Sequence, residues 1–249
     1  MSTTEAAPAR TGADKSVAAT LVRRRPSDFA CKQVMAVTGL VFGLFVLMHM
    51  VGNLKAYLGR EAFDSYAVWL RHMLEPAAPY SSVLWVIRAV LLACLVGHVG
   101  CAYILWRLER IARGPFRRKG LPLRSFAART MPVTGVVLLL FIIFHILDLT
   151  TGTRPVASAE YAPMTTTRSY AYDNLVHSLD RPWVSAFYIA AMLLLGLHLS
   201  HGLWLAVNDL GATGHRLRQV SVALAGIVAI AVTVGNISLP IAVLTGVVS

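Results

Sequence analysis

The sequence predicts an all-α integral membrane protein, a bundle of five helices with its N-terminus in the cytoplasm and its C-terminus outside. Of its 249 residues 56% are hydrophobic and only 14% are charged, whereas about a quarter of an ordinary soluble domain is charged. Five separate stretches are mostly apolar and about 20 residues long, which is the length of a bilayer-spanning helix. This composition excludes most soluble enzymes, disordered proteins and disulfide-rich secreted domains.

The five stretches divide the chain into a short tail and one membrane domain. Residues 1–29 are polar and contain no apolar signal-peptide core, and we expect them to form a disordered cytoplasmic tail. Residues 30–249 are expected to form one transmembrane domain. Its helices are predicted at about residues 32–54, 82–108, 130–150, 183–208 and 218–248.

The distribution of basic residues predicts the orientation of the bundle. Sixteen Lys and Arg fall in the tail, in the link after the second predicted helix and in the link after the fourth, against six in the two remaining loops. Basic residues are enriched on the cytoplasmic side of membrane proteins, so the tail is placed in the cytoplasm. The net charge of +11 is therefore read as a topology signal, and no nucleic-acid partner is expected.

Each of the first four predicted helices carries a histidine in its apolar interior. His49 and His145 lie about 21–22 Å past Val34 and Met131, which begin the apolar stretches at the cytoplasmic side, at 1.5 Å per residue. The second and fourth helices run in the opposite direction, and His98 and His198 lie about 22 Å past Val83 and Trp183 at the outer side. The four imidazoles are therefore predicted to form two pairs at two levels of the membrane.

Two imidazoles from facing helices are the axial ligands that a six-coordinate b-type haem requires. Such iron changes redox state with little rearrangement, which suits electron transfer. The matching positions of the four histidines along their helices favour two haems. The alternatives are a single haem or another role for the histidines, such as a proton relay.

Several longer stretches resemble the single-chain, five-helix cytochrome b membrane subunit of succinate dehydrogenase and fumarate reductase, most closely the actinobacterial branch of that family. The likeness covers nearly everything after about Phe29. The stretches that carry it are KQVMAVTGLVFGLFVLMHMVGNLK (32–55), YAVWLRHMLEP (66–76), FIIFHILDLTTG (141–152), HLSHGLW (198–204) and GNISLP (235–240).

This resemblance implies that His49 and His145 ligate a distal haem and that His98 and His198 ligate a proximal one. It implies a multi-pass anchor in the cell inner membrane that belongs to respiratory complex II of the tricarboxylic acid cycle. The implied partners are a flavoprotein subunit and an iron–sulfur subunit, and electrons would pass through this chain to a quinone, with menaquinone expected. The chain would act as the quinone-reactive subunit of that enzyme, with no flavin or succinate site of its own.

The cysteines and the fifth membrane histidine allow a second cofactor. A Rieske-type [2Fe–2S] cluster takes two Cys and two His ligands, and Cys31, Cys101, His198 and His201 could supply them near the cytoplasmic surface. Simple apolar packing is the other interpretation of these cysteines. A third hypothesis for the function, besides a haem protein and an iron–sulfur protein, is a haem-free membrane anchor or proton-relay transporter.

Four polar residues of the membrane region are candidates for a quinone site, and one arginine is a candidate for a haem propionate. Arg88 either reaches the membrane surface or pairs with a propionate. Asp148 is expected to orient His145, to pair with Arg88 or Lys55, or to move protons. The quinone candidates are Asn53, Lys55, Asp148 and His201.

Overall fold

The computed structural model describes residues 26–113, 124–212 and 214–249. All regular secondary structure in these ranges is helical, and five of the helices are long and apolar enough to cross a membrane. The predicted all-α fold with five helices of membrane-spanning length is therefore confirmed, whereas the orientation of the termini stays a prediction. The α-helices are α1 (Asp28–Asn53), α2 (Arg60–His72), α3 (Ser82–Arg113), α4 (Arg124–His145), α5 (Ala171–Leu179), α6 (Pro182–Asp209) and α7 (His215–Leu244).

The ends of the long helices differ from the predicted bounds by a few residues. Helix α1 begins at Asp28 because the Ser27 hydroxyl oxygen accepts a hydrogen bond from the Ala30 amide at 3.1 Å. Residues 28–29 are therefore helical, and residues 1–25 of the predicted tail lie outside the described ranges. Helix α7 ends at Leu244, four residues before the predicted end, and Gly246 follows with a φ of 73° that favours glycine.

Helices α1 and α4 each continue into a short helix of different geometry. A 3₁₀ helix (Leu54–Leu58) follows α1, and a π-helical turn (Ile146–Thr150) follows α4. In the π turn the Thr151 amide donates to the Ile146 carbonyl at 2.9 Å. This wider turn carries Asp148, which is buried.

Two short helices that the sequence analysis did not predict cover the end of the bundle near His49 and His145. The Arg60 guanidinium, at the start of α2, pairs with the Asp173 carboxylate of α5. The Asp64 carboxylate of α2 accepts a hydrogen bond from the Tyr172 amide of α5 at 3.1 Å. These contacts join α2 and α5 into a cap over this end of the bundle.

Four of the long helices form a bundle in which opposite helices stay apart. Helix α1 packs against α3 and α6, and α6 packs against α4. In the described ranges no extensive backbone packing joins α1 to α4 or α3 to α6. The backbones of these two diagonal pairs are therefore farther apart than the backbones of neighbouring helices in the bundle.

Helix α7 lies outside this four-helix arrangement, against α6 and α1. A Cβ added at Gly196 of α6 would collide with the Thr233 side chain, and one added at Gly235 of α7 would collide with Met50 of α1. Close approach of helix backbones through glycine is typical of membrane bundles. The fifth helix thus packs on the others and contributes no histidine to the interior.

The outward surfaces of the long helices are apolar. Trp85 and Val96 of α3 are 65% and 68% exposed, and Ile230 of α7 is 65% exposed. Such a density of exposed large apolar side chains suits contact with lipid. It supports the assignment of the chain as a multi-pass membrane protein.

A histidine outside the membrane helices connects two loops at the capped end. His72 Nδ1 lies 2.7 Å from Glu75 Oε2, and His72 Nε2 lies 3.2 Å from the Thr166 carbonyl oxygen. The hydrogen bond to Glu75, followed by the one to Thr166, raises the pKa of His72 above its usual value. Both contacts are satisfied together only by the imidazolium, which donates from both nitrogens.

We expect His72→Gln to remove a pH-dependent part of the stability. Because the pKa of His72 is higher in the folded state, its stabilisation is complete below about pH 6.5 and is lost as the pH rises through the raised value. Thermal unfolding midpoints of the two proteins should therefore differ at low pH and converge at high pH. His215→Gln is the matched control, and a difference that does not change with pH would contradict the expectation.

Candidate functional site

The structure brings His49 of α1 and His145 of α4 together across one diagonal of the bundle. Their ring centres are 5.9 Å apart, with the ring planes at 87°. Phe45 stacks on His49 at 5.4 Å, and Phe141 lies against His145 at 5.8 Å. We call His49 and His145 the distal pair.

His98 of α3 and His198 of α6 lie on the other diagonal, beside Thr38 of α1 and Thr134 of α4. We call them the proximal pair. The Thr38 hydroxyl oxygen of α1 is 2.9 Å from His98 Nδ1, and the Thr134 hydroxyl oxygen of α4 is 3.0 Å from His198 Nδ1. Each imidazole of this pair is therefore held by a threonine on a neighbouring helix.

A glycine follows each of these threonines and lies beside the imidazole. A Cβ added at Gly39 would lie 3.6 Å from His98 Cε1, and one added at Gly135 would lie 3.7 Å from His198 Cε1, which are ordinary contact distances. Each Thr-Gly dipeptide thus lies next to one imidazole of the proximal pair. We call the two dipeptides, Thr38-Gly39 and Thr134-Gly135, the imidazole cradles.

The cradles belong to a sequence repeat that the sequence analysis missed. Helices α1 and α4 share the pattern T-G-x5-F-x3-H, which runs from Thr38 to His49 and from Thr134 to His145. The threonine of each copy contacts one histidine of the proximal pair, while the histidine belongs to the distal pair and the phenylalanine packs on that histidine. The equal spacing of 11 residues from Thr to His was the signal that could have identified both threonines.

The contacts of the threonines determine which imidazole nitrogen carries the hydrogen. The Thr38 hydroxyl is 2.6 Å from the Val34 carbonyl oxygen, and the Thr134 hydroxyl is 3.1 Å from the Met131 carbonyl oxygen. Carbonyl oxygens only accept, so both contacts of each threonine are favourable when the hydroxyl donates to the carbonyl and accepts from the imidazole. Nδ1 of each proximal histidine is then protonated, and Nε2 keeps a free lone pair for a metal.

The geometry of the distal pair fits a haem held by two imidazoles. A metal bonded to two imidazole nitrogens at about 2 Å separates the ring centres by about 6 Å, and the distal rings are 5.9 Å apart. Although all four histidines lie within apolar helices, His49 is exposed and the other three are half-buried. Each of the four residues therefore keeps surface that the rest of the protein does not cover.

The distance between the levels of the proximal and distal pairs follows from the T-G-x5-F-x3-H repeat. The proximal pair lies at the height of the cradles, and the distal pair lies 11 residues further along both α1 and α4. At 1.5 Å per residue the two levels are about 16 Å apart along the bundle axis. Two cofactors at these levels would cover about half of a hydrocarbon core that is about 30 Å thick.

Asp148 forms a buried ion pair beside the distal pair. Its side chain is fully buried, and Oδ1 accepts a hydrogen bond from Arg181 Nη2 at 2.7 Å. Oδ2 accepts from the Ser178 hydroxyl and from the Tyr188 hydroxyl, the latter at 3.1 Å. The expected pairing with Arg88 or Lys55 was wrong. The π turn directs the carboxylate toward the start of α6 instead.

The other polar candidates lie at the ends of the bundle. The Arg88 guanidinium lies over the Trp85 ring at 4.9 Å and is exposed, and the Lys55 ammonium lies 5.2 Å from the centre of the Tyr66 ring. Asn53 is half-buried at the end of α1. His201 lies toward the opposite end, with its ring 5.5 Å from that of Trp204.

The structure brings together only some of the four residues predicted as ligands of a [2Fe–2S] cluster, which are Cys31, Cys101, His198 and His201. Cys31 is buried and interacts with the thiol of Cys101, and both cysteines are free. Among the described residues no three His, Cys, Asp or Glu side chains form a group that could hold a metal ion. A four-ligand cluster site is therefore not formed there, whereas a haem requires only two axial imidazoles.

We expect removal of a cradle hydroxyl to destabilise the protein. Thr38→Val and Thr134→Val leave the Nδ1 hydrogen of His98 or His198 without an acceptor, which costs about 1–3 kcal/mol. Thr→Ser at the same positions keeps the hydroxyl and should restore most of the stability. Unfolding in detergent measures this free energy.

The control is Thr233→Val, because the hydroxyl of Thr233 is buried without a hydrogen-bond partner in the structure. This variant should be neutral or slightly stabilising. Equal effects of valine at Thr38, Thr134 and Thr233 would show that the cradle hydroxyls hold nothing.

Comparison with known proteins points to one family. The chain is similar to the succinate dehydrogenase cytochrome b558 subunit of Bacillus subtilis (strain 168), with 24% identity over 178 residues that cover 71% of this chain and 77% of the relative. No protein-family model and no solved structure matches the chain. The similarity supports a relationship to succinate dehydrogenase cytochrome b membrane subunits and does not single out the actinobacterial branch.

Proposed function

We propose that this chain is the membrane anchor and electron-transfer subunit of a succinate:quinone oxidoreductase. It carries electrons from an iron–sulfur subunit through two b haems to a quinone, with menaquinone expected. The observation that carries the proposal is the contact of His49 and His145 across one diagonal of the bundle, with His98 and His198 on the helices of the other diagonal. The name of the Bacillus relative supports the same function.

The residues of the chain have distinct roles in this proposal. The distal pair and the proximal pair would each hold one haem, and the cradles hold the proximal imidazoles with Nε2 free. Phe45 and Phe141 pack on the distal imidazoles and orient their rings. The bound haems supply one-electron redox chemistry with little structural rearrangement.

The quinone is proposed to bind at one end of the bundle, in an apolar slot with a few polar groups. Asn53 and Lys55 are the candidates beside the distal pair, and His201 is the candidate at the opposite end. Asp148 is a weaker quinone ligand than the sequence suggested, because both of its carboxylate oxygens already accept hydrogen bonds. Arg88 is exposed and can reach a haem propionate or the lipid headgroups.

The orientation and the partners follow from the same proposal. The N-terminus faces the cytoplasm because the basic residues concentrate on that side, and the chain lies in the cell inner membrane. A flavoprotein subunit and an iron–sulfur subunit bind on the cytoplasmic face. The flavin and succinate sites belong to those partners.

The test is succinate-driven reduction in the assembled complex. The chain is expressed with its partner subunits, purified in detergent and mixed with succinate without oxygen. We expect b-type α and Soret bands to appear in the reduced-minus-oxidised spectrum, and to be absent from a preparation of the two partners alone. A complex without these bands contradicts the proposal. A Rieske-type paramagnetic signal in such a complex would indicate that the chain binds a [2Fe–2S] cluster instead of haem. A complex with neither signal would indicate a haem-free membrane anchor.

A further inference from the structure

A chain of hydrogen bonds connects one distal histidine to the buried ion pair. His145 Nδ1 lies 3.2 Å from the Tyr188 hydroxyl oxygen, which lies 3.1 Å from Asp148 Oδ2. The Tyr188 ring is fixed by edge contact with Phe141, at 5.1 Å between ring centres. We call Asp148, Tyr188 and His145 the distal relay.

The direction of the hydrogen bonds in the distal relay follows from its charged end. Arg181 and Ser178 also donate to Asp148, as expected for an ionised carboxylate that only accepts. A phenol has a single hydrogen, and in Tyr188 it goes to Asp148. The Tyr188 oxygen then accepts from Nδ1–H of His145, and Nε2 of His145 keeps its lone pair.

Among the residues that the structure describes, no carboxylate lies behind the other three paired histidines. The proximal imidazoles donate to Thr38 and Thr134, whose hydroxyls donate to neutral backbone carbonyls. In the described part of the chain, His49 has ring contacts but no hydrogen bond. The distal relay therefore makes the two levels of the bundle electronically different.

We propose that the distal relay orients His145 and sets the reduction potential of the distal haem. The inference rests on the proposed function. An acceptor polarised by a carboxylate draws the Nδ1 hydrogen, which makes Nε2 a stronger donor to iron. Stronger donation favours the ferric state, so the relay lowers the potential of the distal haem relative to a histidine without it. Tyr188 acts through His145 and is a positioning residue.

The test is Tyr188→Phe in the assembled complex, since phenylalanine keeps the ring and removes only the hydroxyl. Redox titration with optical detection resolves the two haems. We expect the midpoint potential of one haem to shift upward, with a several-fold larger reduced fraction at a fixed ambient potential, while the other haem is unchanged. The iron–histidine stretching frequency of the shifted haem should also fall in resonance Raman spectra. Tyr172→Phe is the matched control, because the Tyr172 hydroxyl bonds to the Ser249 carbonyl outside the relay.

A second variant tests the inference if Tyr188→Phe loses the distal haem. If Tyr188→Phe does not retain the distal haem, Asp148→Asn, which keeps Tyr188 and removes the charge, should raise the same potential. The inference is overturned if the distal haem keeps its potential and its stretching frequency in either variant, or if both haems shift equally. If the wild-type protein binds two haems and Tyr188→Phe changes neither potential, only the proposed role of the distal relay is contradicted. If the wild-type protein binds no haem, the proposed function is contradicted as well.

Discussion

Replacing His145 by alanine is expected to remove one haem from each chain and to leave the other in place. A six-coordinate haem loses half of its axial ligation with this imidazole, and His49 alone cannot supply it. The proximal pair lies about 16 Å away along the axis and is held by its own cradles. Haem extraction from purified complex, normalised to protein, should show the content fall by half.

The control for this loss is His177→Ala. His177 lies in the short helix α5, outside the membrane helices, and contacts Glu160 at 3.0 Å. It should keep the full haem content and both midpoint potentials. His145→Ala protein that keeps its full haem content, or loses both haems equally, would contradict the pairing of His145 with His49.

Replacing Arg181 by alanine is expected to cause the largest loss of stability in the chain. The Asp148 side chain is fully buried, and Arg181 is the cation that pairs with it. Removing one partner of a buried ion pair leaves an uncompensated charge and costs about 3–5 kcal/mol. Arg181 also donates to the Val156 carbonyl at 2.8 Å, so the connection between α6 and the preceding loop loosens as well.

Unfolding of the purified protein in detergent measures this loss. The double variant Arg181→Ala with Asp148→Asn should recover part of the stability, because it removes the unpaired charge. Arg168→Ala is the control, since Arg168 lies over the Tyr170 ring at the surface. A loss of under about 1 kcal/mol for Arg181→Ala would be typical of an exposed ion pair and would contradict this account.

The five membrane helices could be predicted because length and apolar composition are properties of continuous segments. The level of each histidine followed in the same way, since the rise of a helix is constant. Helices α2 and α5 were missed because short amphipathic helices resemble ordinary polar loops in composition. The 3₁₀ and π turns after α1 and α4 were also missed, because they depend on what packs beyond the helix end.

The partners of the histidines were harder to predict than the histidines themselves. Arg181 reaches Asp148 across 33 residues, and only the fold brings them together. Tyr188 lies 43 residues from His145 and gave no local signal. Thr38 and Thr134 are different, because their equal distance from His49 and His145 is visible in the sequence.

The central claim is tested most directly by haem analysis of the purified complex, combined with low-temperature electron paramagnetic resonance. The account predicts two b haems for each copy of this chain, with two distinct low-spin ferric signals from two pairs of imidazoles. His145→Ala should remove one signal and His198→Ala the other. Absence of haem from the intact complex, or a single signal that both variants abolish, would contradict the two-pair arrangement.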